Sequence, residues 1–149
     1  MKTVPAIKKK DSIRAGGAEL FIQSYLMLEY GIPVSAAPRN MPDFDLIAHN
    51  WETGNNCFIQ VKFRKAKSND GVRISNFNFD FLAVVCGNLG ETGDNADQRK
   101  DGDETKIEVF IFPKSFVEKK FGNNSTFNFN KFKKDGFLEN YSSIYNFLY

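Results

Sequence analysis

Two short segments constrain this chain more than any other feature: Asp43-Phe44-Asp45-Leu46-Ile47-Ala48 and Cys57-Phe58-Ile59-Gln60-Val61-Lys62-Phe63. Side chains alternate across a strand, so Ile59, Val61 and Phe63 take one face of the second segment while Gln60 and Lys62 take the other. Asp43 and Asp45 share a face of the first by the same rule. The polar Asn50-Trp51-Glu52-Thr53-Gly54-Asn55-Asn56 between them carries a Gly-Asn turn signal, so the pair reads as a hairpin. If the two polar faces coincide, Asp, Gln and Lys side chains converge.

The surrounding pattern predicts one domain in which strands and helices mix. Met1–Asp11 reads as a basic, frayed lead-in. From Ser12 the apolar residues Ile13, Ala18, Phe21, Ile22, Tyr25, Leu26 and Leu28 recur at helical spacing until Gly31 stops them. Ile32 and Val34 begin an extended stretch. Phe79–Cys86 is apolar on both faces, as an interior strand of a covered sheet would be. Residues 87–104 form a long polar, acidic loop, and Lys106–Phe112 returns as a strand. Ser115-Phe116-Val117-Glu118 has the form of a capping box opening a short helix that Gly122 ends. Thr126–Phe132 alternates Phe with polar residues, as a strand or a ribbon. Phe137, Leu138, Tyr141, Ile144, Tyr145 and Leu148 outline a last amphipathic helix. The order implies an α/β or α+β domain with a central mixed sheet flanked by helices.

Composition narrows the class. At 149 residues, 42% apolar and 26% charged, the chain suits a single globular domain, and sixteen Phe suggest a densely packed core. No apolar run approaches the ~18 residues of a membrane span. The four N-terminal residues Lys2, Lys8, Lys9 and Lys10 are not followed by an apolar stretch, so no secretory signal is expected. Two cysteines, Cys57 and Cys86, make neither a disulfide framework nor a zinc quartet, and one His excludes a His-rich metal site. The expectation is a reduced, cytoplasmic protein with no membrane partner. Net charge is +2, and the excess of Lys and Arg lies before Asn76, in the half that holds the polar hairpin.

Converging Asp, Gln and Lys suit metal-assisted phosphodiester hydrolysis. Carboxylate and amide oxygens are hard ligands for Mg²⁺ (or Mn²⁺) that leave room for water and a phosphate oxygen. A neighbouring Lys stabilises developing negative charge. Glu19, mid-helix with Gln23 and Leu26 near its stripe, is placed to face the same sheet. Arg64-Lys65 and Lys67, directly after Lys62, form either a phosphate-neutralising patch or a solvated loop. His49 reads as a surface residue, Trp51 as rim packing, and the cysteines as small core hydrophobes.

The order of these pieces resembles the PD-(D/E)XK nuclease superfamily, the restriction-endonuclease-like fold that includes Holliday-junction resolvases. The likeness covers about Gly16 to Phe116: the Gly16-Gly17-Ala18-Glu19 helix start, the Asp45-Leu46-Ile47-Ala48 strand, Gln60-Val61-Lys62, the Phe79–Val85 strand and the one ending Phe112-Pro113. The resemblance implies Asp45 as the metal-binding acid, Lys62 as the motif lysine and Glu19 as the helical acid of the resolvase-like branch. Asp43, in a literal Pro42-Asp43, is the alternate acid. Gln60 takes the position usually held by Asp or Glu, so Asp45, Gln60 and Glu19 are the implied metal set. The implied function is a Mg²⁺-dependent DNA endonuclease, restriction-like or junction-resolving and most economically a homodimer. The alternative is a catalytically inactive protein on the same fold that binds nucleic acid or a protein partner. A third reading is an assembly module unrelated to nucleic acid.

Overall fold

A 27-residue helix, α1 (Val4–Tyr30), opens the computed structural model, which describes residues 4–38, 41–65, 71–87, 106–121 and 126–149. The helix starts well before Ser12, inside the stretch expected as a lead-in. Apolar periodicity missed that start because Ala6 and Lys8–Lys10 favour helix without marking a buried face. Pro5 in the first turn forfeits only an amide that has no partner there. The end is where the sequence puts it: Gly31 adopts φ 63 and its N–H bonds back to the Met27 carbonyl at 3.1 Å.

Five strands follow in one sheet: β1 (Val34–Ala36), β2 (Leu46–His49), β3 (Asn56–Lys65), β5 (Phe81–Gly87) and β6 (Glu108–Pro113), in spatial order β1-β2-β3-β5-β6. All neighbours are antiparallel except β3 and β5, so the sheet is mixed. The parallel crossover from β3 to β5 passes through β4 (Val72–Arg73), which pairs with β7 (Thr126–Phe127) in a separate two-stranded ribbon. Two further helices, α2 (Lys114–Phe121) and α3 (Ser142–Leu148), complete the α+β architecture. Among the described residues no helix is long and apolar enough to cross a membrane.

Each face of the sheet has its own core. On one, Ala18, Ile22 and Leu26 of α1 pack with Leu46, Ile59, Ala83, Ile111 and the α3 residues Ile144 and Leu148. Tyr25 stacks on Tyr141 with ring centroids 4.1 Å apart, joining α1 to the entry of α3. The other face gathers phenylalanines: Phe79, Phe110, Phe112, Phe127 and Phe129 are buried, with Phe116 and Phe137 against them. Some of their rings meet edge to face or tilted, as in Phe112–Phe127 at 5.1 Å and Phe116–Phe137 at 4.5 Å, and others stack, as in Phe110–Phe112. Helices α1 and α3 on one side and the aromatic ribbon with α2 on the other cover β5, and all seven of its residues are buried. Cys57 and Cys86 are free thiols in these cores.

Three local expectations change. Helix α2 begins at Lys114, so Ser115 lies inside the first turn instead of capping it. The final helix begins only at Ser142, because Leu138 is bridged to Phe110 and Glu139 takes φ 52, which no helix accepts. Thr126–Phe132 divides into β7 and a 3-10 turn, Phe129–Phe132. The expected polar loop 87–104 lies outside the described residues apart from Gly87, which ends β5.

Candidate active site

The β2–β3 register, Leu46 opposite Ile59 and Ala48 opposite Cys57, places both apolar sets on the α1 face. The opposite parity sends Gln60 and Lys62 to the other face. Strand β2 starts at Leu46, three residues later than the expected start at Asp43, and Asp45 stands just ahead of it. Its backbone still joins the sheet: Asp45 N–H donates to the Ile59 carbonyl at 2.9 Å. Its carboxylate does more. Oδ2 accepts the Val61 N–H at 2.8 Å and the Gln60 Nε2 at 2.7 Å. Val61 N–H is the amide that faces β2, and beyond Leu46 a side chain replaces the strand as its acceptor. Asp45 thus terminates the ladder and fixes the Gln60 side chain beside itself.

Charge gathers around this pair. Burial pushes the Asp45 carboxyl above the ordinary range, while the Val61 amide and the Lys62 ammonium pull it back. Glu19, half-buried on α1, is also pushed up, by burial first and then by the Asp45 carboxylate. Lys62 moves the other way: burial lowers its pKa, Asp45 opposes that shift and Arg64 adds to it. The sequence-predicted set Glu19, Asp45, Gln60 and Lys62 is therefore one electrostatic neighbourhood. Its two acids favour the protonated state and its lysine the neutral state, each more than in water.

The other candidates have partners of their own. Asp43 accepts a hydrogen bond from Asn76 Nδ2 at 3.0 Å. Gln23 donates to the Val34 carbonyl at 3.1 Å and ties α1 to the sheet edge. Arg64 donates through Nε and Nη2 to the Gly71 carbonyl at 3.1 and 3.0 Å, which anchors the crossover after β3. Lys65 ends β3, and Lys67 lies outside the described residues.

Sequence reading missed the roof of the site. Gln60 and Lys62 line a small cavity of about 20 Å³ with Pro42, Arg73, Ser75 and Asn76. That is room for about one water molecule. Gly71-Val72-Arg73-Ile74-Ser75 alternates, with Val72 and Ile74 buried and Arg73 and Ser75 exposed. The period-2 signal was there, in a segment that reads as merely polar.

The donors fit a hard divalent cation. Asp45, Glu19 and the Gln60 amide offer oxygen only, and Mg²⁺ takes one or two carboxylates with the rest of its shell as water. Among the described residues no three His, Cys, Asp or Glu side chains form a metal-binding group, so a cation here relies on the amide and on water. No protein-family profile, curated protein or solved structure matches the chain.

Proposed function

We propose that this protein is a metal-dependent DNA endonuclease of the restriction-endonuclease-like class. One observation carries the reading: the Asp45 carboxylate, hydrogen-bonded by Gln60 at 2.7 Å, shares its surroundings with Glu19 and Lys62. Burial pushes both carboxyls up and the Asp45 carboxylate raises Glu19 further, so a divalent cation would add positive charge where it is favoured. Asp45, Glu19 and the Gln60 carbonyl oxygen would hold Mg²⁺ or Mn²⁺. When bound, the ion polarises a phosphate oxygen and lowers the pKa of its water. Lys62 directs its ammonium at the charge that develops on the phosphate, and Arg73 on the cavity rim steadies the strand through a flanking phosphate. To bring its oxygen to the ion, Gln60 turns its amide over, exchanging the donor that now meets Asp45 for an acceptor. Cutting both strands of a duplex takes two such sites, so a homodimer is the economical assembly.

The test is incubation with supercoiled plasmid and with a branched DNA, with Mg²⁺, Mn²⁺ or chelator, for the wild type and Asp45→Asn. Metal-dependent nicking that Asp45→Asn abolishes supports the reading. Cleavage that survives both chelator and substitution ends it. A binding-only protein on the same fold is favoured by one observation, the direct Gln60–Asp45 bond, which satisfies the acid without a metal. Salt-sensitive DNA binding with no cleavage in any metal is the result that selects it.

A further inference from the structure

A second polar cluster stands at the far end of the same hairpin. His49 Nδ1 lies 2.6 Å from Asn56 Oδ1, and His49 Nε2 lies 3.3 Å from Ser35 Oγ. An amide oxygen only accepts, so this contact holds the proton on Nδ1 and leaves the Nε2 lone pair facing the serine hydroxyl. The backbone sets the arrangement. His49 and Asn56 are paired residues of β2 and β3, and Ser35 is a diagonal neighbour of His49 on β1. Val34 and Ala48 point into the core, so Ser35 and His49 share the opposite face.

Two more parts adjoin the cluster. Strand β1 is one edge of the sheet, paired with β2 alone among the described residues. The Pro33 carbonyl accepts the His49 N–H at 2.9 Å, and Ala37 N–H donates to the Asp45 carbonyl at 2.8 Å. Alternation then turns the Ala36 N–H outward from the β1 edge, where Gln23 meets the Val34 carbonyl, and places it next in sequence to Ser35 to face a developing oxyanion. Beside them runs an open apolar groove of about 560 Å³, lined by Met27, Ile32, Pro33 and Trp51 together with Ser35 and His49. That size lies within the ~300–1,000 Å³ usual for small-molecule sites. Trp51, 81% exposed, forms one wall.

We propose that Ser35, His49 and Asn56 form a second, acyl-transferring site that takes esters of short apolar acids. Ser35 Oγ attacks the ester carbonyl carbon as its proton passes to His49 Nε2, and the carbonyl electron pair moves to the oxygen facing Ala36 N–H. Collapse breaks the ester C–O bond, and the leaving alcohol takes the proton from His49. Water, deprotonated by the same nitrogen, then attacks the acyl-serine. Collapse frees the carboxylic acid and returns the proton to Ser35. Asn56 keeps the imidazole in the tautomer that starts the cycle; an Asn serves this role as an Asp does elsewhere. The acyl chain lies along Met27, Ile32 and Trp51. The site is independent of the metal site, so either stands without the other.

The experiment labels the purified protein with a fluorophosphonate and follows hydrolysis of p-nitrophenyl butyrate. The label should map to Ser35, and Ser35→Ala should abolish both labelling and turnover. His49→Ala should slow turnover by about 10³-fold or more, since members of such a unit act together. Asn56→Asp should retain activity where Asn56→Leu loses it, a distinction that simple packing would not produce. Ser24→Ala, an exposed serine on α1 whose Oγ bonds its own helix, is the control and should label as the wild type does. All three residues are surface-accessible polar groups, so circular dichroism should be unchanged. A wild type that takes no label, or hydrolysis that persists in folded Ser35→Ala, overturns the proposal.

Discussion

Gln60 and Asp45 meet across the β2–β3 boundary, amide nitrogen to carboxylate oxygen at 2.7 Å, and the same oxygen receives the Val61 N–H at 2.8 Å. One carboxylate therefore both ends a strand ladder and holds the neutral Gln60 side chain beside it. The pair couples the stability of the hairpin to the charge of the site.

Gln60→Glu separates those roles. The substitution removes a donor from Asp45 and sets two carboxylates against each other. At about 4 Å and an effective dielectric of about 20, such repulsion is on the order of 4 kcal/mol before the pair relieves it by binding a proton. Without metal the melting temperature should fall by several degrees. With millimolar Mg²⁺ it should recover, and metal affinity should exceed that of the wild type. Thermal scans with and without Mg²⁺ read both. An unchanged melting temperature in both conditions would show that positions 45 and 60 do not interact in solution.

Glu19→Gln reports on the helix acid through pH. The folded-state pKa of Glu19 is raised, by burial and by Asp45. A carboxyl with a raised folded pKa contributes stability that is fully present below its unfolded value, about 4.3, and lost as pH rises through the folded one. The wild type should therefore lose ground to Glu19→Gln as pH rises above about 4.3 in the metal-free protein. Mg²⁺ should reverse the order at neutral pH, because binding requires the deprotonated acid. Parallel denaturation curves at every pH would reassign Glu19 to a solvated helix face.

The hairpin, its turn and the covered strand β5 are legible in the sequence because each follows from an alternation or an apolar run of sufficient length. So is the grouping of Asp45, Gln60 and Lys62, once Leu46 and Ile59 share a face. What the sequence hides are contacts made across long separations by unremarkable residues. Asn76 donates to Asp43 from 33 positions away. Arg64 reads as part of a phosphate-neutralising patch or of a solvated loop, and its guanidinium bonds the Gly71 carbonyl. The Ser35–His49–Asn56 cluster joins three strands, and no spacing in one sequence signals it.

Asn50 is another such residue, and its removal should be costly. It is 2% exposed, yet each end of its amide is satisfied. Nδ2 donates to the Leu148 carbonyl at 2.9 Å, and Oδ1 accepts from Glu52 N–H at 3.0 Å and Thr53 N–H at 3.3 Å. It shapes the hairpin turn and pins the end of α3 from 98 positions away. Asn50→Ala leaves these groups without partners, at about 1–3 kcal/mol for a buried one. Urea denaturation should show a loss in that range, and Asn50→Asp should recover the turn but not the bond to Leu148. A loss below about 0.5 kcal/mol for Asn50→Ala would contradict this account.

Cys57 and Cys86 should resist thiol reagents until the protein unfolds. Burial pushes the Cys57 thiol far up and the Cys86 thiol up to about 11, which leaves little thiolate at neutral pH. Titration with a disulfide reagent should find negligible fast reaction in buffer and two equivalents per chain in denaturant. A thiol that reacts at once in the native protein would place its strand at the surface.

Lys62→Met sets catalysis against stability. The substitution keeps the length and apolar stem of the side chain and deletes the ammonium. Burial lowers the Lys62 pKa, so folding imposes a desolvation cost on the charged form that Asp45 only partly offsets. The sign follows. A lysine whose folded pKa is depressed contributes stability above its unfolded value of about 10.4, and that contribution is lost as pH falls through the folded pKa. At pH 7 the variant should therefore melt no lower than the wild type. Asp45 loses the cation that draws its pKa down, so its carboxyl should titrate at higher pH in the variant. Phosphodiester cleavage should fall by ~10²–10³, the usual value of a donor aimed at developing charge. DNA affinity should weaken far less, since one lysine accounts for one phosphate among several. Cleavage at the wild-type rate by folded Lys62→Met would remove Lys62 from the chemistry. A large drop in melting temperature would instead make it a structural partner of Asp45.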